Sequence, residues 1–296
     1  MTKKIDFLII GAQKAGSTFL YNILNLSDEI FMPKEKELPF FLEKNIDEKN
    51  YEKFISEYFH KSKKGQIIGT STPQYMMYPE CFKNIKHSLP NIKLIAILRD
   101  PIKRLISHYD MAYRFGTEKR SIDSVLKDQL KNIDYYRKTP FDDATGKYVA
   151  SGEYGRIFSV LLKNFDKSQI HILLFNELVN QPKKETKKIM NFLNLKNEIT
   201  EFKKFNNMSG GKKKLVNINF YKLISFFSKI GLKKITPNFL IRKIQIFLQF
   251  IDNVNVDTKS KTSINEIDPK LLQKLKDHYK KDLNLLKNIL NIELNV

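Results

Sequence analysis

Short, largely apolar runs alternate along this chain with stretches whose apolar residues recur every three to four positions. Ile5–Ile10 is the first run, and it stops at Gly11. Lys93–Leu98 (KLIAIL) and Ile170–Phe175 (IHILLF) are two more, and Gln66–Ile68 is a short fourth. Runs without polar alternation predict strands covered on both faces, the pattern of a parallel sheet. Ser17–Leu26 places Phe19, Leu20, Ile23 and Leu24 on one helical face. Ile102–Tyr113, Tyr154–Asn164 and Lys183–Leu193 read the same way. Pro269–Leu290 is a long amphipathic helix carrying Leu271, Leu272, Leu275, Tyr279, Leu283 and Leu286. The alternation predicts an α/β, three-layer, P-loop-containing domain with a central, mostly parallel sheet and a helical C-terminal extension.

Two stretches break the pattern. Thr117–Val149 is polar and poorly periodic, and the segment 115–150 is read as an insertion over the active site. Asn217–Ile251 is both apolar and basic; Phe220, Leu223, Ile224 and Phe227 share a helical face until Pro237 interrupts it. No repeat or low-complexity linker divides the chain. It is therefore read as a single domain, 1–296, with 216–296 as its helical C-terminal part.

Composition changes this picture only in places. With 296 residues, 42% of them hydrophobic, the chain can bury a sizeable core. A formal net charge of +20 suits polyanionic partners. Yet only 7 of the 52 basic residues are arginine, so a drift toward lysine on solvated surface accounts for the charge equally well. Cys81 is the sole cysteine, which rules out an intrachain disulfide or a thiolate metal site. No run approaches the roughly 20 apolar residues of a membrane span. The four residues before the first run leave no room for a signal peptide, so a cytoplasmic protein is expected. Residues 218–251 leave two readings open, packing on the domain or lying peripherally on the inner face of an anionic membrane.

The chemistry begins at residues 11–18, GAQKAGST, directly behind the first strand. The spacing of Gly11, Gly16 and Thr18 is that of a nucleotide phosphate loop, but Ser17 stands at the lysine position and the lysine is Lys14. Backbone N–H groups at a helix start bind anions, and glycines let the chain turn closely round them. A nucleotide-hydrolysing loop also needs a magnesium-binding acid at the end of another strand. The strand Leu94–Leu98 ends instead in Arg99, with Asp100 one position late. The site thus reads as one built for two anions without a metal. A nucleotide bearing both a 5′- and a 3′-phosphate satisfies that reading.

FLIIGAQKAGSTFL resembles the 5′-phosphosulfate loop of sulfotransferases, especially the heparan-sulfate-type and bacterial carbohydrate sulfotransferases. LIAILRDPIKRLISHY is similar to their 3′-phosphate motif, in which an arginine and a serine eight residues later grip the phosphate. The likeness continues through SGEYGRIFSVLLKNF, ILLFNELVNQP and the C-terminal helix, and is weakest at 115–150 and 216–265.

The resemblance implies an enzyme that moves a sulfuryl group from 3′-phosphoadenosine 5′-phosphosulfate to an acceptor hydroxyl on a carbohydrate or glycolipid. Adenosine 3′,5′-bisphosphate is the product, and no metal is required. It implies donor contacts at Lys14, Ala15, Gly16, Ser17, Thr18, Arg99, Ser107 and Tyr154, with a core position the equal alternative for Tyr154, and at Gly210, Gly211 and Lys212 of a late cationic loop. Lys14 is the expected catalytic cation, stabilising charge on the leaving oxygen. Glu37 occupies the place of a glutamate three residues before a Phe-Phe pair that removes the acceptor proton, with Glu35 as its rival. Lys36, Glu37, Phe40, Ser71 and Tyr75 form the expected acceptor side, with packing the alternative for Phe40 and Tyr75. Thr70 and Ser71 stand where the family commonly carries an acidic residue and a lysine. His108 is assigned no role. A P-loop kinase or NTPase, and a basic nucleic-acid-binding protein, remain the competing readings; the lack of a recognisable nucleic-acid module argues for no nucleic-acid partner.

Overall fold

Phe7–Gly11 is buried at every position, so it can only sit at the centre of a covered sheet. The computed structural model, which describes residues 4–43, 46–140, 146–197, 199 and 262–296, puts it there. The strands are β1 (Phe7–Gly11), β2 (Ile30–Phe31), β3 (Ile67–Ser71), β4 (Lys93–Leu98) and β5 (Ile170–Leu174). They form one sheet in the order β2-β3-β1-β4-β5, with every pair parallel. Leu8 faces Thr70 on one side and Leu94 on the other, and Leu98 pairs with Leu174. Truncating Ile9 or Leu94, both wholly buried, would cost roughly 2–5 kcal/mol.

The helices flanking the sheet are α1 (Ser17–Leu24), α2 (Glu48–Tyr58), α3 (Phe82–Ser88), α4 (Pro101–Arg114), α5 (Ile122–Lys131), α6 (Ile133–Lys138), α7 (Tyr154–Leu161), α8 (Phe175–Asn180), α9 (Pro182–Phe192) and α10 (Pro269–Leu290). This is the predicted three-layer α/β arrangement with its C-terminal helix. Several boundaries differ from expectation. α1 stops at Leu24 rather than Leu26, and α7 at Leu161 rather than Asn164. β3 runs on to Ser71, and β2 is too short for any periodicity to reveal.

The stretch read as a polar insertion is largely helical. α5 and α6 lie within it, and Ile122, Val125 and Leu126 are buried. They join α4, Tyr148, Val149 and α10 in a second hydrophobic cluster beside the main core. α10 also locks onto α7. A Cβ on Gly155 would come within 2.2 Å of the Asp282 carbonyl oxygen, so only glycine allows this approach. The Asp282 carboxylate accepts from the N–H groups of Gly155 and Arg156, capping α7 from the neighbouring helix.

At the same junction Glu153 is fully buried. Its carboxylate accepts from Arg137 of α6, Arg156 of α7 and the His278 ring of α10, at 2.7, 2.6 and 2.9 Å. One carboxylate thereby ties the inserted helices to the core and to the C-terminal helix.

Candidate functional site

Four adjacent strands deliver the predicted residues to one rim. β1 leads into the loop 12–16, β3 into the turn at 73–76, β4 into Arg99, and β2 into the segment carrying Lys36 and Glu37. In a parallel sheet all these loops leave from the carboxyl ends of the strands, where open α/β folds bind ligands. β1 lies between β3 and β4, so its loop is flanked by the other two. Backbone bonds hold the group together: Ala12 N–H donates to Ile97 O at 2.8 Å and Thr72 N–H to Ile9 O at 2.9 Å.

The loop closes on Gly16, whose φ of 97° is left-handed and caps α1. A Cβ there would meet the Phe175 ring at 3.0 Å. Ser17 opens the helix and is buried, whereas Thr18 is exposed. The leading N–H groups of a helix have no partner within it and face outward to an anion. The Ala15 side chain is fully buried, so only its backbone can serve a ligand.

Lys14 and Arg99 meet. Arg99 Nη1 donates to the Lys14 carbonyl at 2.9 Å, and its guanidinium lies 4.7 Å from the centre of the Phe175 ring. Burial lowers the Arg99 pKa from its ordinary value, leaving a weakly solvated cation. Tyr154 is fully buried, and its hydroxyl donates to the Arg99 carbonyl at 2.9 Å. It therefore fixes the backbone of Arg99 rather than lining the cleft. Asp100 spends its carboxylate capping α4, accepting from Ile102 and Lys103 at 2.8 and 3.0 Å. That agrees with its being one position late for a metal. Ser107 lies partly buried on α4, two turns on from Arg99.

Glu37 sits on the opposite flank of the loop, joined to it by Lys36. The Lys36 ammonium lies 3.0 Å from Glu37 Oε1 and 3.5 Å from Ser17 Oγ. Gln74 Nε2 donates to Glu37 Oε2 at 2.7 Å. Burial alone would raise the Glu37 pKa, but Lys36, Gln74 and the more distant Lys14 outweigh it, and the carboxyl stays below its ordinary value. Its side chain is 37% exposed, so it still faces the cleft.

Backbone strain marks the same two residues. Four non-glycine residues among those described have positive φ: Lys14, Glu37, Asn194 and Asn291. Asparagine tolerates that region; lysine and glutamate do so only at a cost of order 1–3 kcal/mol. Such cost persists where surrounding contacts over-determine a site, and here it falls on the predicted cation and the predicted base.

Part of the expected acceptor side is corrected. Ser71 and Tyr75 are wholly buried and Phe40 is 7% exposed. Ser71 belongs to β3, and the Tyr75 hydroxyl donates to the Leu38 carbonyl at 2.7 Å, beneath the Glu37 segment. Phe40 stacks on Phe54 at 4.4 Å. These three support the cleft from behind. Gly210, Gly211, Lys212 and the stretch 218–251 lie outside the described residues. No group of His, Cys, Asp and Glu suited to a metal is found among the described residues, nor any helix long and apolar enough to cross a membrane.

The sequence reading missed Gln74, which reaches Glu37 from 37 positions away. It also missed Arg104 of α4, which is fully buried. Arg104 Nη2 donates to the Tyr148 carbonyl, while Nε and Nη1 have no hydrogen-bond partner among the described residues. His108 packs edge-on against Tyr148 at 4.7 Å. Burial, with Arg104 and Lys14 nearby, holds it neutral, well below the usual histidine range.

Comparison with known proteins gives a consistent result. The model of the sulfotransferase domain family matches residues 4–287. Heparan sulfate glucosamine 3-O-sulfotransferase 5 of Mus musculus is 30% identical over 215 residues, covering 69% of this chain and 57% of that protein. Heparan sulfate glucosamine 3-O-sulfotransferase 3B1 of Mus musculus is 26% identical over 197 residues, with 66% and 47% covered. The chain thus spans about half the length of these curated relatives. A crystal structure of a sulfotransferase from Alicyclobacillus acidocaldarius shares the fold, with a TM-score of 0.64 at 18% identity over 99% of this chain and 98% of that one.

Proposed function

The chain belongs to the sulfotransferase domain family, and on that premise we propose that it transfers a sulfuryl group from 3′-phosphoadenosine 5′-phosphosulfate to a carbohydrate or glycolipid hydroxyl. The observation that carries this reading is the meeting of Arg99 with Lys14, 2.9 Å apart through the Lys14 carbonyl. It joins the cation at the end of one strand to the anion-binding loop after its neighbour, within reach of a single doubly phosphorylated nucleotide. The half-satisfied Arg104 adds a buried positive charge on the same helix as Ser107. The residues therefore suit a multiply anionic donor.

The donor supplies a sulfuryl group already bonded to a phosphate leaving oxygen. Gly16, Ser17 and Thr18 bind the 5′ end through the helix start, and Arg99 with Ser107 binds the 3′-phosphate. Glu37 accepts the proton of the attacking hydroxyl as the new oxygen–sulfur bond forms and the bond between sulfur and the bridging phosphate oxygen breaks, that oxygen leaving with the nucleotide. Lys14 stabilises negative charge developing on the leaving oxygen. Lys36 spans Ser17 and Glu37 and keeps donor loop and base in register. The heparan sulfate relatives support a carbohydrate acceptor.

Calorimetric titration with adenosine 3′,5′-bisphosphate against ATP–Mg²⁺ tests this. The bisphosphate should bind at least tenfold more tightly; tighter ATP–Mg²⁺ binding would favour the kinase or NTPase reading. Lys14→Ala should lower turnover by about 10³-fold while the fold is kept, in line with losing a charge-stabilising group. A near-normal rate in that variant would remove Lys14 from the mechanism. A cytoplasmic location remains part of the proposal, and a liposome assay on the full chain separates the two readings of 218–251: salt-sensitive binding speaks for a peripheral membrane contact, its absence for packing on the domain.

A further inference from the structure

Glu37 is gripped by the turn that follows β3. Glu37 N–H donates to the Ser71 carbonyl at 2.9 Å. The hydroxyls of Thr72 and Tyr75 both donate to the Leu38 carbonyl, at 3.0 and 2.7 Å. These three contacts fix the backbone, and they suffice to hold a residue whose φ is 69°. Gln74 adds a fourth contact of a different kind, because it touches only the carboxylate.

That contact leaves a defect behind. Glu37 when ionised can only accept, so Gln74 must present its NH₂ group and turn its carbonyl oxygen the other way. The Gln74 Oε1 atom is buried with no hydrogen-bond partner among the described residues. A buried acceptor without a partner costs stability, and an apolar side chain of equal length would avoid it. The turn already has its backbone contacts without this amide. Retaining a glutamine here makes sense for what its other end does.

We propose that Gln74 is a positioning residue for the transfer reaction: it holds Glu37 Oε2 so that the carboxylate faces the cleft in its ionised form. The proposal rests on the function assigned above. Lys36 holds the other oxygen from the same segment, and the more distant Lys14, whose ammonium lies against Met111 Sδ at 3.5 Å, adds a weaker attraction. Lys36 divides its contacts between Ser17 and Glu37, whereas the Gln74 amide is directed at Glu37. A bond to the ionised form favours that form, so its loss moves Glu37 toward protonation.

Carbon-13 NMR of carboxyl-labelled protein reads the Glu37 titration directly, with the signal identified by its disappearance in Glu37→Gln. In Gln74→Met, similar in length but without a donor, the Glu37 midpoint should rise. In Gln74→Lys, which restores a donor and adds a positive charge, it should fall below the wild-type position. Affinity for adenosine 3′,5′-bisphosphate should stay within twofold in both. With an acceptor in hand, kcat of Gln74→Met should fall about tenfold and the acidic limb of its rate profile should move up, with a smaller change in KM. An unmoved Glu37 midpoint in Gln74→Met overturns the proposal. So does a parallel loss of nucleotide binding, which would make the residue merely structural. Should Gln74→Met fail to fold, Gln74→Lys decides alone: a lowered Glu37 midpoint supports the contact and an unchanged one removes it. The titration is readable even if the wild type binds no bisphosphate, so failure of the assigned function is seen separately.

Discussion

Two clusters of buried charge sit on neighbouring elements, and the chain treats them differently. At the helical junction, the Glu153 carboxylate meets Arg137, Arg156 and His278 at hydrogen-bond distance. At the strand ends, Lys14, Arg99 and Arg104 gather with no carboxylate paired to Arg99 or Arg104 among the described residues. The one acid beside Arg99, Asp100, caps α4 instead. Charge neutralised inside the chain serves the fold. Surplus charge of one sign, kept half-desolvated beside a glycine loop, suits the anionic donor proposed above. The strained backbone of Lys14 and Glu37 falls in the second region and not in the first.

Removing Glu153 should break the first cluster most severely. Glu153→Ala leaves Arg137 and Arg156 without their central partner and should cost about 3–5 kcal/mol of stability, read as a fall in Tm or in denaturant midpoint. The junction also sets an acid limit. Burial would raise the Glu153 pKa, but His278, Arg137 and Arg156 outweigh it and hold it at about 2, against an ordinary 4.5. Its folded pKa lies below its unfolded one, so the stabilisation is complete above about pH 4.5 and is lost as pH falls toward 2. The full swing is about 3 kcal/mol, and Glu153→Gln should flatten it. Nucleotide affinity should change little in either variant. A large loss of bisphosphate binding in Glu153→Gln at neutral pH, with the fold intact, would mean that the two clusters are one.

Arg99→Ala probes the second cluster and should do the reverse. Affinity for adenosine 3′,5′-bisphosphate should fall about 100-fold, or about 2.7 kcal/mol, the range for a charge-assisted contact to phosphate. In wild type, ligand at 100 times its Kd should add about 2.7 kcal/mol of stability, and the variant at the same concentration should lose most of that gain. Stability without ligand should move far less, because among the described residues Arg99 bonds a backbone carbonyl and stacks on Phe175.

How legible each region is from sequence follows the same division. The anion-binding side is built from strand ends and a glycine loop, local features with fixed spacing, so Lys14, Gly16 and Arg99 can be read directly. Glu37 needs the Phe-Phe pair beside it and a family likeness to stand out from Glu35. Its partner Gln74 is invisible, because the contact joins two loops 37 residues apart. Ser71 and Tyr75 mislead for a plain reason: β3 extends three residues past the expected end at Ile68, which carries Ser71 into the sheet and Tyr75 under the loop. The junction is harder still. α5 and α6 look polar because only Ile122, Val125, Leu126 and Tyr136 of their length are buried apolar residues. Their packing depends on α10, more than a hundred residues later. Arg137, Glu153 and His278 carry no local signal of each other.

Arg104 gives the finest test of the comparison, since it is as buried as Glu153 yet has no carboxylate partner among the described residues. Replacing it by methionine removes one bond to the Tyr148 carbonyl, which costs about 1 kcal/mol. It also removes a desolvated charge that no acid neutralises, and fills the space with an apolar chain of similar length, which offsets that cost. The net change in stability without ligand should therefore stay within about 1 kcal/mol. Bisphosphate affinity should drop by about 3–10-fold, because the lost charge acts on the bound phosphates at a distance rather than by contact. Calorimetry and thermal melts on the same preparations measure both. If Arg104→Met unfolds the chain as Glu153→Ala does, Arg104 is a pillar for Tyr148 and the second cluster shrinks to Lys14 and Arg99. If affinity falls while stability holds, a buried cation is being kept for a charge that only the ligand brings.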